Sequence, residues 1–500
     1  MNGYDLIAWL CYTVRSFEEK TQTLLYKQFT TRNAGPELYY QEVEKKISCL
    51  NRISGEKIKY YNSLSQDDIK QIEEQVQLWK TKQSDYIFIL AVLSYLDRYF
   101  NMAESLHRYA MTKEYVAENV ISFQALNNNV QELGGILLPN IRPMWENRKR
   151  SQSALAADPL SVIENYIWVT GYEPWNVLNL YSIDWKIEKD KNLRIICSPL
   201  TNVPPFLYEL KMGDPYNVFE ITEYCTENVE RVQATIEKTI KLANKRNADI
   251  VLFPEILSSP QCLRNVQTFV EEQIELVSPS LIVLPSSEHR DEFGKWVNET
   301  KVLDAFGDSL LTYKKQHGFQ FEYEDGKFKL EDGKSKPENG KSEPKDEKSK
   351  PEDGVYFEPL DDADHNLYVL HIDGIGRLAI IICADIFEHD MLTTLLERYQ
   401  INCLLMLAYS PGRGRFFDQI SQAQRTSCEV VWCNACAAYE KDTAEKPCVA
   451  YWAHGHRNRE CMIKKSCGKI APDECTGCVF EIEIASDHNK TGKITREALE

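Results

Sequence analysis

Three short stretches carry side chains whose types could work together on a substrate. LFPEI places Glu255 just past an apolar run, and LLTYKKQHGF places Lys314, Lys315 and His317 past another. LAIIICADIF places Cys383 where an apolar run gives way to charged residues. A free thiol has a pKa of about 8.5, so only a minority is nucleophilic thiolate at neutral pH. A nearby ammonium favours the thiolate, and a carboxylate can take and return the proton. Each piece alone is ordinary, since lysine pairs are usually solvated and cysteine is among the residues most often buried. The chain supplies its own control: LRIICSP ends in Cys197 in much the same local setting. Local sequence does not separate the two cysteines; the framework and the order of the motifs must.

That framework begins near Leu193. LRIICSP, a polar helical span over 219–244 and ADIVLFPE read as strand, helix, strand. LIVLPSS, LYVLHID, LAIIICAD, INCLLMLAY and EVVWCNA continue the alternation, which implies an α/β domain over 190–485. Residues 1–185 read as a mainly α-helical domain instead. Leu6, Leu10, Val14 and Phe17 recur at helical spacing, Ser65 with Asp68 marks a helix start, and YIFILAVLSYL (86–96) reads as a buried helix. Residues 324–354 form a degenerate seven-residue repeat, EDGKFKL, EDGKSKP, ENGKSEP, KDEKSKP. It has too few apolar positions to offset its ordering entropy and is expected as a disordered insertion, with 486–500 a flexible tail.

Composition limits the partners. A formal charge of −17 over 500 residues argues against a broad nucleic-acid or anionic-membrane surface, and RKR at 148–150 is the densest basic group. The 11-residue apolar run at 86–96 falls short of the roughly 18 needed to span a bilayer. The first residues show no positive segment followed by a small-residue cleavage pattern, so no secretion signal is expected. The 15 cysteines then read as reduced thiols in a cytoplasm. Cys433-x-x-Cys436 and Cys475-x-x-Cys478 flank Cys448, His454, His456, Cys461 and Cys467, and paired CxxC motifs also fit tetrahedral zinc. Against zinc, Cys433 lies in a core-strand pattern and 38 residues separate the pairs, so structural thiols are the favoured reading.

Taken together and in order, FPE (253–255), YKKQH (313–317) and ICAD (382–385) resemble the nitrilase (carbon–nitrogen hydrolase) superfamily. The Y-x-K-x-H pattern selects Lys315 over Lys314. AQRTSCEVVWCNA (423–435) and TGCVFEIEI (476–484) add to the resemblance, which covers about 190–485 and not the N-terminal half. It places Cys197 in a structural strand. It implies a four-layer α-β-β-α sandwich, a homodimer or larger assembly, and no metal or organic cofactor. It also implies an amidase- or nitrilase-like hydrolase acting on a small amide or nitrile through a Cys383 thioester. Glu255 would be general base, with Lys315 and the Ala384 backbone N–H stabilising the oxyanion. Acyl transfer would use the same intermediate. Glu322 and Glu358 are the candidates for a second Glu, and Tyr409 and Ser410 for substrate contact. FEHD at 387–390 departs from the family's aromatic-Pro-Glu after the nucleophile. The competing reading is a catalytically inactive or accessory nitrilase-like protein, a binding or sensing component of a larger assembly such as a bacterial defence system.

Overall fold

The computed structural model describes residues 3–31, 36–56, 64–99, 120–122, 135–141, 143, 145, 158–171, 173–186, 191–213, 216–273, 278–324, 327–329, 353–361, 363–410, 414–438, 449–453, 460–461, 477–486 and 492–499. They divide into two compact units, 1–173 with 178–186 and 371–376, and 174–177 with 187–370 and 377–500. Among the described residues no helix is long and apolar enough to cross a membrane.

The first unit is helical as far as Tyr99. Helices Gly3–Arg15, Glu19–Thr31, Glu37–Lys46, Ser48–Glu56, Gln66–Lys80 and Tyr86–Tyr99 follow one another. Their apolar stripes make a core in which Leu6, Leu10, Val14, Leu90, Leu93 and Leu96 are fully buried. Ser65 caps its helix: its hydroxyl accepts from the Asp68 N–H and the Asp68 carboxylate accepts from the Ser65 N–H. Beyond 99 the described residues carry strands, Val120–Ser122, Gly135–Pro139, Tyr166–Thr170 and Asn176–Lys186. The mainly helical expectation for 1–185 therefore stops short. Stretches such as YIWVT are aromatic and β-branched, which suits a pleated surface better than a helix.

The second unit is mixed α/β. In one sheet, Gly376–Ile382, Cys403–Ala408, Glu429–Asn434, Ala450–Ala453 and Glu460–Cys461 lie side by side. Its Gly376–Ile382, Cys403–Ala408 and Glu429–Asn434 strands are parallel and buried along their whole length. The helix Gly414–Arg425 packs on it through Phe416, whose ring stacks on Trp432 at 5.2 Å. A second sheet runs Ser287–Arg290, Trp296–Leu303, Leu281–Val283, Ile250–Leu252, Leu193–Cys197, Cys478–Ile484, Lys493–Ala498, with Ser309–Lys314 paired to Trp296–Leu303. Helices Thr226–Lys245 and Pro260–Glu272 cover one face of it, where Val232, Ile236, Ile240 and Val266 share a buried cluster with Val251 and Ile282. The sheets' other faces approach one another at Cys433, whose thiol lies 3.6 Å from the Ser198 carbonyl.

A third sheet has the order Lys327–Lys329, Gln320–Glu324, Gly354–Phe357, Asn217–Tyr224, Phe206–Lys211. It roots the repeat segment: Lys327–Lys329 of the first repeat pairs antiparallel with the preceding strand, Lys329 opposite Glu322. Residues 330–352, with the remaining repeats, lie outside the described residues. The 486–500 segment, expected as a flexible tail, carries a strand. Lys493–Ala498 is a strand antiparallel to Cys478–Ile484, not a flexible end. Ile494 and Leu499 are buried, and Glu497 and Lys493 reach Arg246 and Glu483. Ile494 and Arg496 turned inward between exposed Lys493, Thr495 and Glu497 make the pattern of a half-buried edge strand, too short to stand out from a polar terminus.

Candidate active site

The chemistry-bearing residues sit at the carboxyl ends of strands, all in the second unit. Gly376–Ile382 ends directly before Cys383, Ile250–Leu252 ends three residues before Glu255, and Ser309–Lys314 ends directly before Lys315. The backbone bends sharply at two of them. Cys383 has φ of 47°, as does Ile256 next to Glu255. A β-branched residue at positive φ is a real outlier, and such strain concentrates at functional sites. At Ile256 the backbone N–H is held by the Ser286 hydroxyl at 2.9 Å.

Glu255, Lys315 and Cys383 come together in the interior, each at most 5% exposed. The Lys315 ammonium donates to Glu255 Oε1 at 2.6 Å and to Glu358 Oε2 at 2.5 Å. The Cys383 thiol hydrogen-bonds Glu255. Tyr409 N–H donates to Glu255 Oε2 at 2.9 Å and also lies against the Cys383 sulfur. Of the two candidates for a second Glu, Glu358 is at Lys315; the Glu322 side chain lies outside the described residues. Glu358 also accepts from the Phe319 N–H and the Asn298 amide, so it is locked from three sides.

The electrostatics follow from burial. Loss of water pushes the Cys383 thiol well above its ordinary value; Glu255 adds to this and Lys315 opposes it. The resting cysteine is therefore a thiol pointing its proton at Glu255. Burial and Glu358 raise the Glu255 carboxyl, with Lys315 opposing. For Lys315, burial favours the neutral amine, but Glu255 and Glu358 outweigh it and hold the ammonium well above the usual lysine range.

Two residues not picked out in advance position this set. Asp385, within ICAD, accepts from Tyr313 Oη at 2.7 Å, from the Gln316 and His317 N–H groups at 2.8 Å each, and from the Ile382 N–H at 3.0 Å. It thus ties the Lys315 loop to the cysteine strand. Burial pushes its pKa up to about 6, with those donors pulling the other way. Asn298 bridges Glu255 and Glu358 at 3.1 and 2.8 Å through its amide nitrogen. Its signal was present in WVNETKVL, where Asn298 occupies the same inward phase as Thr300 and Val302.

Tyr409 and Ser410, the candidates for substrate contact, follow the strand Cys403–Ala408. The Tyr409 phenol donates to the Ala437 carbonyl at 3.2 Å and its ring packs on Phe206, so its backbone N–H is the part that meets the site. The Ser410 N–H and carbonyl are both bound to the Asn434 amide at 2.9 and 2.7 Å, which makes Ser410 a backbone brace. His317 reaches the site only through its backbone N–H; its ring is outward, 3.7 Å from Glu388.

Cys197 is a fully buried strand residue against Cys433, whereas the Cys383 thiol meets Glu255 and Lys315. Of the zinc candidates, Cys433 and Cys478 are buried strand residues and Cys436 is also buried. Cys448, His454, His456, Cys467 and Cys475 lie outside the described residues, as does the Cys461 side chain. Among the described residues no group of three His, Cys, Asp or Glu could hold a metal ion.

No protein-family model matches the chain. No curated protein matches it. Solved structures do align with it. The glutamine-dependent NAD+ synthetase of Acinetobacter baumannii aligns at 13% identity and a TM-score of 0.37, over 62% of this chain and 48% of that one. The chain thus spans about half the length of that synthetase. An amidase from Nesterenkonia sp. aligns at 11% identity and a TM-score of 0.36, over 61% of this chain and 94% of that one. A cysteine-to-alanine mutant of that amidase in complex with butyramide aligns at 10% identity and a TM-score of 0.35, over 60% and 94%.

Proposed function

We propose that the second unit is a carbon–nitrogen hydrolase that cleaves non-peptide amides through a Cys383 thioester. The observation that carries this reading is the buried contact of Glu255 with both the Cys383 thiol and the Lys315 ammonium. A thiol alone in this interior would be inert. A carboxylate against it, itself held by an ammonium and a backbone N–H, supplies the base that activates it.

In this mechanism Glu255 takes the thiol proton as the sulfur attacks the amide carbon, and the carbonyl π electrons move onto oxygen. The Lys315 ammonium offsets the growing negative charge. The Ala384 N–H adds to it, because Ala384 lies in the first turn of the Cys383–Phe387 helix and has no intrahelical acceptor there. Collapse of the tetrahedral species breaks the C–N bond, and Glu255 returns its proton to the departing amine. Water then attacks the thioester while Glu255 takes one of its protons, and the thiol leaves protonated. Glu358 keeps Lys315 charged and placed; Asp385 fixes its loop. Nitrile hydrolysis and transfer of the acyl group to another nucleophile would use the same thioester.

The finer architecture belongs to the same proposal. Helices on one face of each sheet and the meeting of the other faces at Cys433 and Ser198 support a four-layer α-β-β-α stack. The test is ammonia release from a panel of small aliphatic amides. Wild type should release it from at least one, whereas Cys383→Ala and Glu255→Gln should fall to background. Equal release by the Cys383→Ala protein would refute the assignment.

A further inference from the structure

A further buried carboxyl faces this site and takes no part in the chemistry above. Glu288 is 1% exposed, on the strand Ser287–Arg290. It sits directly across the antiparallel ladder from Asn298, so the two side chains project from the same face of the sheet, about 5 Å apart at Cβ. Asn298 spends its amide nitrogen on Glu255 and Glu358, which fixes the direction of that face as toward the catalytic cluster.

What Glu288 lacks is a partner. Neither of its carboxyl oxygens meets a hydrogen-bond donor among the described residues, and the Asn298 side-chain oxygen is likewise unsatisfied. The backbone N–H of Ile221 pulls on Glu288 from outside bonding geometry. Buried polar atoms are nearly always paired, and leaving one unpaired is costly. Here three such atoms lie together beside a reacting centre. Charge gives the same answer. Glu255, Glu358 and Glu288 face one ammonium, Lys315, which is already bound to the first two. Burial raises the Glu288 carboxyl well above the usual range and Glu358 raises it further.

We propose that Glu288 and the Asn298 side-chain oxygen form the acceptor end of the substrate site, which selects amides whose acyl chain carries a primary ammonium. The ammonium would give Glu288 the N–H donors and opposite charge it lacks, and a second N–H would reach Asn298. This rests on the hydrolase reading for the position of the amide, but not for the binding of the cation.

The test separates the two. Calorimetry on the Cys383→Ala protein compares ω-amino amides of three to six carbons with their neutral isosteres, for example 4-aminobutanamide against pentanamide. At one chain length or more the cation should bind at least about tenfold tighter, the low end of what a hydrogen bond to a charged group contributes. Glu288→Gln in that background should erase the preference while leaving the neutral amide's affinity in place. Should Glu288→Gln fail to fold, Glu288→Asp keeps the charge and should move the optimum to a longer chain. The proposal is overturned if no cation outbinds its isostere at any length, or if the preference survives Glu288→Gln. A cation preference in binding, with no ammonia released by wild type from any of these amides, would sink the hydrolase reading and leave this one standing.

Discussion

Replacing Lys315 by methionine removes the ammonium and keeps most of the side chain's length. Two carboxyls then stand in the interior with no counter-charge, since Lys315 lies at 2.6 Å from Glu255 and 2.5 Å from Glu358 and its side chain is 1% exposed. Removing one partner of a buried pair costs about 3–5 kcal/mol. For a domain of this size each kcal/mol moves the melting temperature by roughly 2–4 °C, so a fall of about 10 °C is expected near pH 7.5. The loss must depend on pH. Glu255 is already raised in the folded protein, and without Lys315, the largest influence opposing that rise, it goes higher. A carboxyl whose folded pKa exceeds its unfolded value binds more protons folded than unfolded. Stability is then retained below the unfolded pKa, roughly 4.3 for Glu, and lost as pH rises through the folded one. The gap between wild type and Lys315→Met should therefore be smallest near pH 5 and widen toward pH 8. Scanning calorimetry at three pH values reads this directly. A gap that is constant with pH, or absent, would refute the buried-triad reasoning whatever the activity does.

Further outcomes follow from the same geometry. The acid limb of kcat/KM should lie above the ordinary Glu range, because Glu255 must be ionised to take the thiol proton and its pKa is raised by burial and Glu358. Glu358→Gln removes one cause of that rise and should move the limb to lower pH, as read from a pH–rate profile. Asp385→Asn turns an acceptor for four donors into a group that also presents N–H to them. It should lower kcat by about ten- to a hundredfold with KM little changed, since it loosens the Lys315 loop and leaves binding groups alone. Deleting 487–500 removes a paired edge strand and uncovers the surface under Ile494 and Leu499, so the melting temperature should fall by several degrees; an unchanged value would restore the flexible tail.

Much of the site was legible because its residues are tied to strand ends. An apolar run followed by a functional side chain is visible in one dimension, and FPE, YKKQH and ICAD each have that form. The choice of Glu358 over Glu322 was not legible, because the repeat segment between the Lys and Cys motifs blurs the spacing. In the fold Glu358 lies beside Lys315 at the end of the third sheet, where its N–H binds the Phe319 carbonyl at 2.8 Å. Asn298 and Glu288 were missed because their partners are across the sheet and not along the chain. The atoms of Tyr409 and Ser410 that meet Glu255 and Asn434 are backbone ones, which side-chain type does not reveal. In the N-terminal half the helical period of 1–99 reads plainly, while its later strands are short and lack alternation strong enough to announce a sheet.

The central claim is that Cys383, and no other of the 15 cysteines, carries the acyl group. Intact-mass measurement after rapid acid quench, with an amide that wild type turns over, tests this most directly. Wild type should show an added acyl mass, located by peptide mapping to 378–387 and absent from Cys383→Ala. An acyl adduct that persists in Cys383→Ala, or that maps to Cys197 or Cys433, would contradict it.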